Sequence, residues 1–223
     1  MRTQVNVVLA ALGALSLPSC GILSSDDGPL ARVDELISCV ERVHVDADVG
    51  RDRAAKALAA LQAMAAPDFR GDAVLAHAEL QRAIELAQKH AKDLRYSVDR
   101  MKRAAEPVFH RWNKDLAAMQ NPELKQRGEA RLKETRQRYD AIVAAVDPTL
   151  AAFDALNRSL QDHALFLAHD FNAASVAAIA DQVRKLENDG RELHSGFDRC
   201  MAATRAYVDH AALPMRVEAA RPQ

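Results

Sequence analysis

The chain has 223 residues with 30 basic and 31 acidic side chains, a formal net charge of −1 that excludes the cationic excess by which proteins hold nucleic acid. Hydrophobic residues make up 49% but aromatic ones only 4%, and many of the former are alanine, a composition that suits closely packed helices.

Residues 1–4 carry one cation, Arg2, and residues 5–17 are apolar apart from Asn6, Gly13 and Ser16. Such a run is too short to cross a bilayer, which takes about 20 apolar residues, and it has the form of a signal-peptide core. It closes on Leu17-Pro18-Ser19-Cys20, which resembles the cleavage site of a bacterial lipoprotein. Residues 1–19 are therefore expected to be removed and Cys20 to be the lipid attachment residue, its acyl chains holding the protein to a membrane. The plainer alternative is an ordinary signal peptide or short anchor beside an unmodified cysteine. Gly21 follows, not an aspartate, and by resemblance to known sorting signals this favours the outer membrane over the inner one. Residues 20–29, with Ser24, Ser25, Asp26, Asp27 and Gly28, read as a flexible tether. Removing residues 1–19 leaves a net charge of −2.

From about residue 30 to 65 the apolar or small positions are Leu36, Val40, Val43, Ala47, Gly50, Ala54, Ala57, Leu61 and Met64, in alternating steps of four and three. That is the seam of a helix packed along its length. Residues 66–71 break it, and Asp72 is placed to cap the next helix. The second seam runs through Leu80, Ile84, Ala87, Ala91, Leu94, Val98, Met101, Ala105, Val108 and Trp112. Asn121 and Pro122 then make a cap and a first helical position. The third seam is Leu132, Thr135, Tyr139, Ile142, Val146, Thr149, Phe153, Leu156, Leu160, His163 and Leu167. Pro148 is expected to kink or restart this helix, with Asp147 capping the restart, and Pro107 to bend the second. Asn172 opens the fourth, with Val176, Ile179, Val183, Leu186, Gly190, Leu193, Phe197, Cys200, Thr204 and Tyr207. Residues 211–223 are expected to fray.

Short connections between long helices make neighbours antiparallel, so the fold expected for residues 30–210 is all-α: an elongated up-down-up-down bundle of four long helices with coiled-coil-like packing. The second and third helices come to roughly 70 Å and the outer two to roughly 50 Å at 1.5 Å per residue. Residues 107–135 should therefore project as a hairpin containing Trp112, at the end where the tether enters.

Residues 165–173 read Leu-Phe-Leu-Ala-His-Asp-Phe-Asn-Ala, following Trp112 and a Thr135-x-x-x-Tyr139 spacing. This resembles a bacterial lipoprotein family catalogued as domain of unknown function 2959, which commonly shows Leu-Phe-Leu-Lys-His-Asn-Leu-Asn-Ala there. Ala168 stands in place of the usual lysine and Asp170 in place of the usual asparagine. The resemblance implies long helices and an envelope location, and it brings no activity, cofactor or catalytic residue.

Cys39 lies near the start of the first helix and Cys200 near the end of the fourth, ends that coincide in such a bundle. An exported chain meets an oxidising compartment, so the two are either a disulfide or a pair of buried free thiols. None of the eight histidines has the His-x-x-x-His spacing, and the single Glu-x-x-His, Glu41 to His44, lacks the second such pair that a bundle metal site uses, so no metal or cofactor is expected. No nucleophile motif stands out, and no enzyme is expected. Residues 92–138 carry 13 basic and 7 acidic side chains, whereas residues 20–91 and 139–223 each carry 8 and 12. This makes the hairpin, with Arg111, Trp112, Lys114, Lys125, Arg127 and Arg131, a candidate interaction tip for anionic headgroups or an acidic partner. The bland alternative is a solvated face of intrahelical ion pairs, with Trp112 in the seam. The function expected is that of a non-enzymatic, lipid-anchored envelope spacer or interaction scaffold, with a protein of the envelope as partner; the alternative is a carrier of a small hydrophobic or metal ligand between its helices.

Overall fold

The computed structural model describes residues 28–211, which form α1 (Pro29–Met64), α2 (Ala73–Ala118), α3 (Pro122–His169) and α4 (Ala173–Ala211). The expected signal peptide, Cys20 and residues 212–223 lie outside the described residues. No described helix is long and apolar enough to cross a membrane.

Each helix starts where its sequence stops competing with the helical backbone. Asp72 accepts from the N–H groups of Val74 and Leu75 at 2.8 and 3.1 Å, satisfying two donors that the first turn of α2 cannot. Asn121 does the same for Glu123 and Leu124 at 3.0 and 3.1 Å, with Pro122 in the first position of α3, where no N–H is needed. Asn172 caps α4 through Ala174 and Ser175. Gly28 precedes α1 without a side-chain cap, and Pro29 fixes the first turn instead.

The helices run up, down, up and down. α1 and α3 each pack against both α2 and α4, and α1 also meets α3 across the middle. All nine seam positions of α1 are buried, as are those of α2 as far as Val108, with Trp112 half-buried. In α3, Thr135, Tyr139 and His163 are half-buried and the other seam positions are buried. In α4, Val176 and Gly190 are the half-buried pair. The axis is filled midway by Phe153 and Phe197, both fully buried and packed edge to face with ring centroids 5.4 Å apart. Gly50 makes room for them: a Cβ there would lie 3.2 Å from the Phe197 ring and 3.3 Å from that of Phe153.

Pro148 neither restarts nor interrupts α3, which is helical without a break from Pro122 to His169, and α2 likewise continues through Pro107. A proline inside a helix costs about 3 kcal/mol. The seam on both sides of Pro148 outweighs that, with Val146, Thr149, Leu150 and Phe153 all buried on the bundle's inner side. Asp147, expected as a cap, instead takes Lys102 of α2 at 2.8 and 3.0 Å.

The projecting hairpin is also shorter than expected. The helices have 36, 46, 48 and 39 residues, so α2 and α3 exceed α1 by about 15 to 18 Å. Part of that excess is taken up at the opposite end, where α1 gives way to a connection at residues 65–72. At the hairpin end Pro29 reaches the level of Arg111 and Asp115, leaving about one turn of α2 beyond it. Trp112 is therefore not on a projection.

Two polar insertions lock the register, and neither was visible in the seam pattern. Asp46, 4% exposed, accepts from Ser97 of α2 at 2.5 Å and from Arg42 at 3.0 Å, so the only α1 position that satisfies the carboxylate is the observed one. On the other flank the Thr204 hydroxyl donates to its own helix at Cys200 O, 3.0 Å away. Its oxygen therefore accepts from His44 Nδ1–H at 2.9 Å, joining α4 to α1.

Cys39 and Cys200 are buried free thiols in this structure, which resolves the two alternatives in favour of the second. The pairs His44 with Thr204 and Arg51 with Asp198 place Cys200 level with about residue 48, roughly 14 Å along the axis from Cys39. A disulfide tolerates a Cα separation of no more than about 7 Å. Cys200 instead donates to Thr149 Oγ1 of α3 at 3.5 Å. Burial pushes both thiols above their ordinary pKa.

Phe197→Ala should lower stability by about 3 to 5 kcal/mol, read from urea unfolding monitored by circular dichroism. Both thiols should resist maleimide in the native chain and react once it is unfolded. An intact mass that shows them oxidised to each other would contradict the register.

Candidate functional site

The two ends of the rod differ. At the far end the α1–α2 and α3–α4 connections meet through Phe69 and Phe171, whose rings stack edge to face with centroids 5.4 Å apart. This is the segment with the family-like residues. Asp170 ends α3, and its carboxylate accepts from Ser175 Oγ at 2.5 Å and from Asn172 Nδ2. His77 Nε2–H donates to Ala164 O at 2.9 Å, tying the start of α2 to the end of α3. Leu167 and Ser175 are buried, while Leu165 and Phe166 face solvent. The segment thus makes a helix-to-helix corner. Asp170 keeps the acceptor that an asparagine would also offer, and the exposed Ala168 touches none of it.

At the hairpin end the six candidate tip residues do not form one surface. Arg111 holds Asp115 through Nε at 2.9 Å to both oxygens, and Arg127 holds Glu123 at 2.7 Å. Arg131 donates to His210 O at 2.6 Å, closing the exposed end of α4. Lys114 and Lys125 make no ion pair among the described residues. The cationic excess is therefore spread along α2 and the start of α3, and much of it is met within the same helix. Gly128 lets the hairpin close, since a Cβ there would collide with Leu116.

Trp112 sits below this tip, half-buried between the start of α1 and the end of α4. On one side it shares a small cleft with Val33, Thr135, Tyr207 and Ala211, on the other a wider one with Leu30, Val33, Val108 and Arg111. Counting heptads could not reveal these clefts, because they depend on how the first turns of α1 and the last described turn of α4 sit against α2 and α3. Phe109 lies deeper, against Tyr139 and under the Arg136 guanidinium.

The histidines with partners on other helices or on their own backbone serve structure. His163 Nδ1–H donates to Ser159 O at 2.6 Å and His210 Nδ1–H to Ala206 O at 2.8 Å. Among the described residues no three His, Cys, Asp or Glu side chains are gathered as metal ligands would be.

Burial pushes the Tyr207 phenol up to about 12, with Tyr139 adding to the effect. An unfolded tyrosine ionises near pH 10, so this contribution to stability is whole below about pH 10 and is lost as the pH rises toward 12. Tyr207→Phe should flatten the decline of the urea midpoint between about pH 9 and about pH 11.5. An unchanged slope would show that the phenol is not buried as described.

A search of curated proteins and a search of solved structures each found no match. A family model described as "Protein of unknown function (DUF2959)" matches residues 29–211, from the first residue of α1 to the last of α4. The chain belongs to that family.

Proposed function

We propose that this chain is a non-enzymatic lipoprotein of a bacterial envelope, held by acyl chains on Cys20 to the outer membrane and facing the periplasm, where its rod serves as a spacer or interaction scaffold. The observation that carries the reading is the end of the bundle at which α1 begins. Gly28 enters the bundle at the hairpin end, eight residues from Cys20, so an anchor on that sulfur would tether one end of a rod about 70 Å long. Tethering at an end, not at the waist, is what gives a rod reach. Two or more acyl chains give stable attachment, each buried CH₂ contributing about 0.8 kcal/mol.

The interior supports a mechanical role over a carrier's. Phe153 and Phe197 fill the axis, and the ring space left by Gly50 is already occupied. The buried polar groups Asp46, Thr149 and Thr204 have their hydrogen bonds met by neighbouring helices or their own backbone. Solvent-facing helix surfaces remain for a protein partner, and the near-neutral charge does not suit nucleic acid.

Expression with radiolabelled palmitate should label the chain, and Cys20→Ser should abolish the label and release the protein from the membrane fraction. A label that never appears, or that survives the substitution, would overturn the proposal.

A further inference from the structure

We propose that the wider cleft beside Trp112 docks an anionic phospholipid of the membrane that carries the anchor, taking part of an acyl chain against Leu30, Val33, Val108 and Trp112 and its phosphate at Arg32 and Arg111. The proposal rests on the acylation of Cys20 for its geometry, and its test does not.

The cleft has a volume of about 260 Å³ and is walled by Pro29, Leu30, Val33, Val108 and Trp112. It lies where the first turn of α1 meets the flank of α2, beside the half-buried Trp112 indole. Leu30 is 68% exposed there, a large apolar side chain in the first turn of a helix, which makes sense when something apolar lies against it. A cleft of this kind has several conceivable occupants, and two observations select lipid.

The first is position. Gly28 is eight positions after Cys20, and the stretch between them, fully extended, spans at most about 28 Å. Pro29 and Leu30 are themselves walls of the cleft, so an acylated Cys20 would keep its mouth close to the headgroups whatever the angle of the rod. The second is charge. Arg32, Arg111 and Asp115 line it, two cations to one anion, and Arg111 meets Asp115 only through Nε, leaving its terminal amino groups for a phosphate. Arg131 is held nearby on His210 O, and Lys114, one turn below Arg111 on α2, has no carboxylate partner among the described residues. An indole at such a boundary, with an apolar body and a polar N–H, matches the depth at which tryptophan settles in bilayers. The tip cations that pair with their own helix then play a lesser part than the rim of this cleft.

Trp112 is the chain's one tryptophan, so its fluorescence reports on the two clefts it lines, of which Leu30 walls only the wider. The test uses the chain from residue 20 onward with Cys20→Ser, which removes any anchor, mixed with vesicles whose phospholipids carry bromine on the acyl chains. With phosphatidylglycerol vesicles the emission should shift to the blue and be quenched severalfold, with phosphatidylcholine it should change little, and high salt should reverse the effect. Leu30→Glu, at an exposed position that leaves the fold intact by circular dichroism, should abolish the quenching. Flotation with the anionic vesicles but no quenching would place binding elsewhere and overturn the proposal. Equal quenching by neutral vesicles would overturn the assignment to an anionic lipid. A blue shift that grows with protein concentration in the absence of vesicles would show a second copy covering the cleft, and would also overturn it. A chain that takes palmitate on Cys20 yet is not quenched loses the cleft and keeps the anchor; one that is quenched yet never labelled keeps the cleft and loses the anchor.

Discussion

Apolar and small side chains spaced alternately three and four residues apart, on all four helices and over nearly their whole lengths, are what the rest of this structure depends on. That spacing keeps one stripe of each helix facing its neighbours while the helices wind slowly about one another. The stripes here are rich in alanine and glycine, so the backbones come close and a thin core suffices. Leu58 lies against Gly190 so closely that a Cβ there would be 2.5 Å from its Cδ2, and Gly196 receives Thr149 in the same way. Four helices so closely joined leave little room for a ligand along the axis.

Apolar seams alone leave register open, since sliding a helix by a heptad restores most contacts. The buried carboxylate of Asp46 removes that freedom between α1 and α2, because only one register brings Ser97 to it. His44 with Thr204 does the same between α1 and α4, and Arg95 with Asp154 adds an exposed pair between α2 and α3. Register then decides the character of the ends. It sets α1 to begin before the hairpin turns and brings Tyr207 and Ala211 of α4 beside Trp112, and the clefts there are the outcome.

The seams and three of the caps were legible in the sequence because they obey local periodicity and local hydrogen bonding. Each seam residue from Leu36 to Met64 is buried as its spacing requires, and Asp72, Asn121 and Asn172 cap the helices they precede. What escaped depends on the relation between helices. Helix lengths alone cannot say at which end an excess projects, so they overstate the hairpin and place Trp112 too far out. Cys39 and Cys200 each lie near the right end of a helix, yet the axial offset between them is fixed by His44 and Arg51, residues that pattern reading passed over. Asp46 could have been found: an aspartate beside Val43 and Ala47, four residues after Arg42, is out of place on a buried flank unless a partner awaits it. Pro148 was judged by its local cost, and the packing of Thr149, Leu150 and Phe153 decided the matter.

A single chain closes all four of its seams upon itself. Small-angle X-ray scattering of the chain from residue 20 onward, with Cys20→Ser, tests this most directly. A monomer with a longest dimension of roughly 75 to 80 Å is the result expected from helices of this length. A scattering mass of two chains, or a particle about twice as long, would show that the seams are completed by another copy and would contradict the account.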